Sequence, residues 1–104
     1  IHGALDATIL YNGFEDPITS AVYPSAEESA GAWVGYNGCD AAAADGPSAD
    51  LTTILGNETQ TKSWGGCDGG STVELWTLMA DGHIPTFNAS FKEAVLDFMF
   101  SHQK

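Results

Sequence analysis

The stretch Ser71-Thr72-Val73-Glu74-Leu75-Trp76-Thr77-Leu78-Met79 decides the fold of this 104-residue chain. Its side chains alternate between two faces, as they do along a β-strand, and apolar residues occur on both faces near its end. This pattern predicts a strand in the interior of a sheet. The turn Ala80-Asp81-Gly82 follows, and it places His83 beyond the carboxyl end of the strand.

Three other runs have the composition of strands. Ile1-His2-Gly3 resembles the last residues of a strand that leads into a loop carrying Asp6. Leu51–Leu55 and Thr59–Trp64 are rich in apolar and β-branched residues, and each predicts a strand. Between residues 40 and 50 the chain is Ala, Asp, Gly, Pro and Ser, which predicts a polar loop.

The first helix is predicted from a capping box. Ser25 and Glu28 have the spacing at which each side chain bonds the backbone N–H of the other. Apolar residues then recur at intervals of three and four. The sequence therefore predicts a helix over residues 26–37, with Trp33 and Val34 facing a core.

A second helix is predicted near the end of the chain. Ser90 and Glu93 repeat the capping-box spacing, and the helix is expected to end near Ser101. Its apolar residues recur at i, i+3, i+4, i+7 and i+8, namely Phe91, Ala94, Val95, Phe98 and Met99. The order of strand, loop, helix, strands, loop and helix predicts part of an α/β layered fold.

Length and charge limit the classes of function. One hundred and four residues form at most one domain. A formal net charge of −11 repels phosphate backbones and anionic lipids, so we expect neither nucleic acid nor a membrane surface as a partner. No run approaches the roughly 18 uncharged apolar residues of a membrane span. The chain begins with Ile1 rather than Met, and we expect that processing or truncation removed a preceding part.

The two cysteines, Cys39 and Cys67, lie in glycine-rich segments. No His is spaced from them as in a zinc finger, so the cysteines predict no zinc site. We expect neither a metal nor a cofactor in this chain. A disulfide is favoured over a pair of buried thiols. Closing a loop of about 27 residues would contribute roughly 3 kcal/mol, and such bonds persist in secreted or periplasmic proteins.

Two residues that could carry chemistry follow strand ends. In open α/β sheets, reactive groups collect beyond the carboxyl ends of the strands, where Asp6 and His83 are both expected. A carboxylate that bonds one imidazole nitrogen fixes the tautomer, and the other nitrogen can then take a proton from a hydroxyl nucleophile. The alternatives are a turn-forming Asp and a His without a role in chemistry.

The nucleophile that such a pair needs is missing. None of the eight serines lies in Gly-x-Ser-x-Gly, and Ser71, which comes nearest, begins a strand instead. In α/β hydrolases the chain order is Ser, then Asp or Glu, then His. A polypeptide with only the last two members would be the C-terminal part of such an enzyme.

Several motifs occur in a specific order along nearly the whole chain. They are His2-Gly3-Ala4-Leu5-Asp6 with Tyr11-Asn12-Gly13, Ala32-Trp33-Val34-Gly35-Tyr36-Asn37-Gly38-Cys39, Trp64-Gly65-Gly66-Cys67 with Val73-Glu74-Leu75-Trp76, and Asp81-Gly82-His83-Ile84-Pro85. Together they resemble the polyhydroxybutyrate depolymerase and feruloyl esterase-like family of secreted serine esterases. One departure is Ile84 before Pro85, where many members have Trp.

This resemblance implies a fold and an activity. Residues 1–104 would be the C-terminal portion of an α/β-hydrolase catalytic domain, with strands of the central sheet, two flanking helices and one disulfide. Asp6 would be the acid and His83 the base of the triad, and Cys39 would pair with Cys67. The protein would be a secreted or periplasmic esterase that works through an acyl-enzyme. Its substrates would be short-chain, hydroxyalkanoate, feruloyl or acetyl-sugar esters, and its partner the missing N-terminal portion.

Four other side chains with aromatic rings have candidate roles. Trp64 and Tyr11 are the expected substrate-binding residues. His2 is either close to the site, as the resemblance implies, or a packing residue. An alternative function is a noncatalytic, disulfide-stapled module that binds carbohydrate or polymer through Trp64, Trp76 and Tyr11.

Overall fold

The fold is known from a computed structural model, which describes residues 1–102 and is mixed α/β. The main sheet has the strand order β1-β6-β5-β4, formed in turn by His2–Gly3, Val73–Leu78, Thr59–Trp64 and Ala44–Asp45. A hairpin joins β2 (Phe14–Glu15) to β3 (Val22–Tyr23). Two α-helices occur within the described part of the chain, α1 (Ala26–Tyr36) and α2 (Ala89–Ser101).

Strand β6 lies in the interior of the main sheet, as its pattern predicts. It pairs with β5 in antiparallel register from Thr59↔Leu78 to Trp64↔Val73. On its other side it pairs with β1 in parallel register, through His2↔Thr77 and Gly3↔Leu78. The predicted strands at Thr59–Trp64 and around His2 are thus confirmed. The parallel pair is what brings the loops after β1 and β6 to the same edge.

The predicted strand at Leu51–Leu55 is wrong. The backbone N–H groups of Leu51 and Thr52 donate to the Glu58 carboxylate, each at 3.0 Å, and Thr52 forms only a single bridge with Phe87. A buried side chain therefore takes the bonds that a neighbouring strand would have made. The predicted loop at 40–50 also differs, because Ala44–Asp45 pairs with β5 as β4.

The packed core lies between α1 and the sheet. Its buried members are Ala30, Val34, Trp64, Val73 and Leu75. Val34 faces this core as predicted, whereas the prediction for Trp33 is wrong because Trp33 is 61% exposed. Consecutive helical residues are about 100° apart, and the buried stripe of α1 runs through Ala30 and Val34, which leaves Trp33 at its edge. Trp33 contacts Tyr36 edge to face on the outer side.

The capping box that starts α1 is present as predicted. Ser25 Oγ accepts from the Glu28 backbone N–H at 3.1 Å, and the Glu28 carboxylate accepts from the Ser25 N–H at 2.8 Å. The last helical residue is Tyr36. Gly38 follows with φ of 61°, the left-handed conformation that ends many helices and favours glycine.

The start of α2 differs from its prediction. Asn88, not Ser90, is the N-cap, and its side-chain oxygen accepts from the Ser90 N–H at 2.9 Å. The Asn88 amide group donates to the carbonyls of Asp50 and Thr52 at 3.1 and 2.9 Å. Asn88 is favoured as the cap because its side chain also bonds the helix to the segment of Asp50 and Thr52. The end at Ser101 agrees with the prediction.

Cys39 and Cys67 form a disulfide, so the buried-thiol alternative is wrong. The bond joins the end of α1 to the turn before β6 and closes a sequence separation of 28 residues. Neither helix within residues 1–102 has the length and apolar run that crossing a bilayer requires.

Candidate active site

The candidate site lies where the loops after β1 and β6 meet. The Ala4 N–H donates to the Leu78 carbonyl at 2.9 Å, and the Leu5 N–H donates to the Asp81 carbonyl at 3.0 Å. Gly3 is buried in this contact, and a Cβ added there would lie 2.6 Å from the Asp81 carbonyl oxygen. Glycine therefore permits the backbone approach that brings the two loops together.

The approach places Asp6 beside His83. Asp6 Oδ2 is 3.0 Å from His83 Nδ1. The other oxygen, Oδ1, accepts from the backbone N–H groups of Thr8 and Ile9 at 2.8 and 2.9 Å. The Asp6 side chain is 6% exposed and that of His83 is 45% exposed. The acid is therefore buried and held by its own loop, while the imidazole reaches solvent.

The environment of Asp6 favours its ionised form. Burial by itself raises the pKa of Asp6, but the hydrogen bond with His83, the N–H groups of Ile9 and Thr8, and the charge of His83 lower it to about 2. Asp6 is therefore a carboxylate at neutral pH and accepts hydrogen bonds. The proton shared with His83 then lies on Nδ1, which leaves Nε2 as the nitrogen able to accept another.

His2 belongs to the same cluster. Its Nε2 is 2.9 Å from the Ile9 carbonyl oxygen and 3.4 Å from Asp6 Oδ2. Its ring meets that of Tyr11 edge to face, with centroids 5.6 Å apart. The sequence left open whether His2 lies near the site or serves packing, and the geometry places it against the acid.

The two expected substrate-binding residues lie in different places. Tyr11 is half-buried next to His2, and its hydroxyl bonds Thr77 Oγ1 at 2.8 Å and Glu27 at 3.3 Å. Trp64 is 8% exposed in the α1 core. It pairs with Val73, five residues before Leu78 and hence roughly 16 Å along the strand from the site. The structure therefore assigns Trp64 to packing, and of the two only Tyr11 contacts His2, the neighbour of Asp6.

A cleft of about 410 Å³ adjoins the pair, and two of its residues, Phe87 and Phe91, were not predicted from the sequence as part of a site. Its apolar wall includes Pro85, Phe87 and Phe91, and the two Phe rings stack with centroids 3.6 Å apart. The available signal was the series of apolar and aromatic residues directly after His83. It was hidden because Phe91 also fits the apolar stripe of a helix.

Comparison with protein-family models, curated proteins and solved structures finds no match to this chain. The site is therefore interpreted from its geometry. Within residues 1–102, no three His, Cys, Asp or Glu side chains are grouped to hold a metal ion. What the site offers is a fixed carboxylate, an oriented imidazole and a nitrogen open to a proton donor.

Proposed function

We propose that this chain supplies the acid and the base of a serine esterase. The observation that carries the proposal is the 3.0 Å contact between Asp6 Oδ2 and His83 Nδ1. A buried, ionised acid bonded to a half-exposed imidazole is the arrangement that a hydroxyl nucleophile needs for activation. The family resemblance of the motifs around both residues supports the same function.

In the proposed reaction the nucleophile is a serine of polypeptide outside these 104 residues. His83 Nε2 takes the proton of that serine as its oxygen attacks the ester carbonyl, and then gives the proton to the departing alcohol. Water hydrolyses the acyl-enzyme by the same steps, with His83 again accepting and returning a proton. Asp6 remains ionised throughout and stabilises the imidazolium.

The proposed partner is the nucleophile-bearing portion of the same enzyme, and this chain would be the C-terminal portion of an α/β-hydrolase domain. Within residues 1–102, β1 pairs only with β6, so one side of β1 is open to another strand. Large apolar side chains near that edge are exposed: Ile1 at 56%, Ile9 at 45% and Trp33 at 61%, and all three line one groove with His2. Such a surface favours burial against further protein.

The disulfide supports export, because such bonds persist in oxidising compartments. We therefore propose a secreted or periplasmic enzyme. The proposed substrates are carboxylic esters of the classes that the resemblance implies: short-chain acyl esters, hydroxyalkanoate oligomers, and feruloyl or acetyl esters of sugars.

The test is hydrolysis of a short-chain nitrophenyl ester. The 104-residue chain alone should be inactive, and a full-length enzyme that includes a Gly-x-Ser-x-Gly segment should be active. His83→Ala in that enzyme should lower kcat at least about a thousandfold, since the base is lost. His102→Ala, a histidine on the end of α2, is the matched control and should leave kcat unchanged. Full activity of His83→Ala would refute the triad assignment.

The alternative, a noncatalytic binding module, finds less support. Trp64 is buried, and both Tyr11 and Trp76 are half-buried. The Trp76 indole N–H is bonded to Glu74 and its ring packs against Phe98. These three side chains therefore form no exposed platform. Retention of the chain on an insoluble polysaccharide or polyester, abolished by Trp76→Ala, would favour the module instead.

A further inference from the structure

We propose that His2 is a positioning residue for the Asp6–His83 pair, an inference that rests on the proposed function. His2 Nε2 bonds the Ile9 carbonyl at 2.9 Å and lies 3.4 Å from Asp6 Oδ2. One side chain thus holds the loop that carries the acid and sits beside the oxygen that faces the base. Its role is to keep Oδ2 aimed at His83.

The Ile9 contact fixes where the proton of His2 lies. A backbone carbonyl oxygen only accepts hydrogen bonds, so Nε2 of His2 must be the donor and must carry a proton. The same nitrogen lies 3.4 Å from Asp6 Oδ2. His2 therefore bonds the loop and contacts the acid through one atom.

His2 is itself held in place. Its backbone pairs with Thr77 in the parallel β1–β6 ladder. Its ring contacts Tyr11, whose hydroxyl bonds Thr77 Oγ1 at 2.8 Å, and the His2 side chain is 22% exposed. A ring fixed from the strand and from Tyr11 can impose its position on a loop, which a mobile surface histidine could not do.

The bond between His2 and the Ile9 carbonyl is one of two hydrogen bonds that hold the Asp6 loop against β1. Asp6 Oδ1 takes the N–H groups of Thr8 and Ile9, which closes residues 6–9 into a tight turn. Two hydrogen bonds connect the turn to β1. The Asp6 N–H donates to the Gly3 carbonyl at 3.2 Å, and His2 Nε2 donates to the Ile9 carbonyl. Without the His2 donor, the turn and its carboxylate would gain freedom relative to His83.

The test uses the chain labelled with ¹⁵N in its histidines, because nitrogen shifts report which ring nitrogen carries the proton. In the wild type, His83 should carry it on Nδ1 and His2 on Nε2. His2→Phe keeps a ring against Tyr11 but removes the donor. We expect His83 to become a mixture of tautomers in this variant, with its Nδ1 proton exchanging with water about fivefold faster.

Two matched variants separate positioning from packing. His2→Gln restores an N–H donor without an aromatic ring, and it should recover much of the Nδ1–H signal of His83. His102→Phe makes the same substitution at the end of α2 and should leave His83 unchanged. An intact fold of His2→Phe, judged by near-ultraviolet circular dichroism, with an unaltered His83 signal would overturn the inference and leave the proposed function standing.

Two measurements on the wild type also test the inference: the protonation of His83 Nδ1 and that of His2 Nε2. If His83 carries no proton on Nδ1, the inference and the proposed function both fail. If His2→Phe does not fold, the wild-type His2 spectrum is decisive. A proton on Nε2 supports the inference when a sample that also carries ¹³C in its isoleucine carbonyls shows a through-bond coupling to Ile9, and an unprotonated Nε2 overturns it.

Discussion

The carboxylate of Asp6 divides its two oxygens between two tasks. Oδ1 accepts from the turn at Thr8 and Ile9, and Oδ2 faces the imidazoles of His83 and His2. Because the turn bonds involve backbone groups, the position of the acid does not depend on a bound substrate. This division explains how a surface loop holds a reactive group at a defined distance from its partner.

Under the proposed function, Asp6→Asn is expected to abolish most of the activity of the full-length enzyme. The amide is the same size, but it presents an N–H donor or a weaker acceptor to Nδ1, so His83 is free to adopt the wrong tautomer. By analogy with serine hydrolases, kcat should fall about 10⁴-fold with little change in KM. Steady-state kinetics on a nitrophenyl ester measures this. A loss below tenfold would contradict the assigned role.

The lowered pKa of Asp6 predicts a dependence of stability on acid. The folded pKa is about 2 against an ordinary value of 3.8, so the ionised group stabilises the fold above pH 3.8 and loses that effect as pH falls through 2. The difference in urea midpoint between wild type and Asp6→Asn should be constant from neutral pH to about pH 5 and then shrink. An equal difference at pH 7 and pH 2 would contradict the prediction.

The elements differ in how far their own residues determine them. The capping box of α1 and the alternating pattern of β6 act within a few residues, so both were predictable from sequence. Leu51–Leu55 was mispredicted because Glu58, which is not part of that run, takes the backbone N–H groups of Leu51 and Thr52. Trp33 was mispredicted because spacing alone does not choose between adjacent helical stripes.

In the candidate site, too, features set by nearby residues were predictable, and features set by distant contacts were not. The side of the sheet on which Asp6 and His83 meet was predictable from strand ends. Their 3.0 Å separation was not, because it depends on the backbone contact around Gly3. The place of His2 beside the acid was also beyond the sequence, since it depends on how the turn at Ile9 folds back onto β1.

Two substitutions at the start of α2 test which residue caps the helix. Asn88→Ala removes the cap and the bonds to Asp50 and Thr52, and should cost about 1–2 kcal/mol of unfolding free energy. Ser90→Ala should change it by less than about 0.5 kcal/mol, since Ser90 contributes only its backbone N–H to the cap. Chemical denaturation compares the two. Equal losses would argue against Asn88 as the cap.

Gly3→Ala tests the close approach of the two loops. The added Cβ would meet backbone oxygens of Asp81 and Gly82, which cannot move aside independently. We expect the loops to separate, with loss of the His83 Nδ1 proton signal. Gly82→Ala is the matched control, because its nearest contact would be the Leu5 carbonyl at an ordinary 3.7 Å. A normal His83 signal in folded Gly3→Ala would show that the approach is dispensable.

At the scale of the whole molecule, apolar packing is incomplete. Only eight apolar residues are buried among the residues described, and α2 contains no buried residue. Exposed apolar side chains lie on both helices and around β1. The molecule therefore relies on cross-linking and, under the proposed function, on a further polypeptide to cover these surfaces.

Reduction of the disulfide is expected to be costly for a chain with so small a core. Closing a separation of 28 residues should stabilise the fold by roughly 3–4 kcal/mol in the chain-entropy model. The denaturation midpoint should therefore fall strongly with a reductant, and Cys39→Ser with Cys67→Ser should reproduce the effect without one. A doubly substituted chain as stable as the oxidised wild type would contradict this expectation.

The hydrogen bond between Asp6 and His83 joins residues 77 positions apart. A contact of such long range forms only after most of the polypeptide has been made and its two ends have docked, so we expect it among the last to appear during folding. Under the proposed function, any chemistry by the pair would consequently be latent in a nascent chain. The docking of the two loops would then be one of the steps that make the enzyme competent.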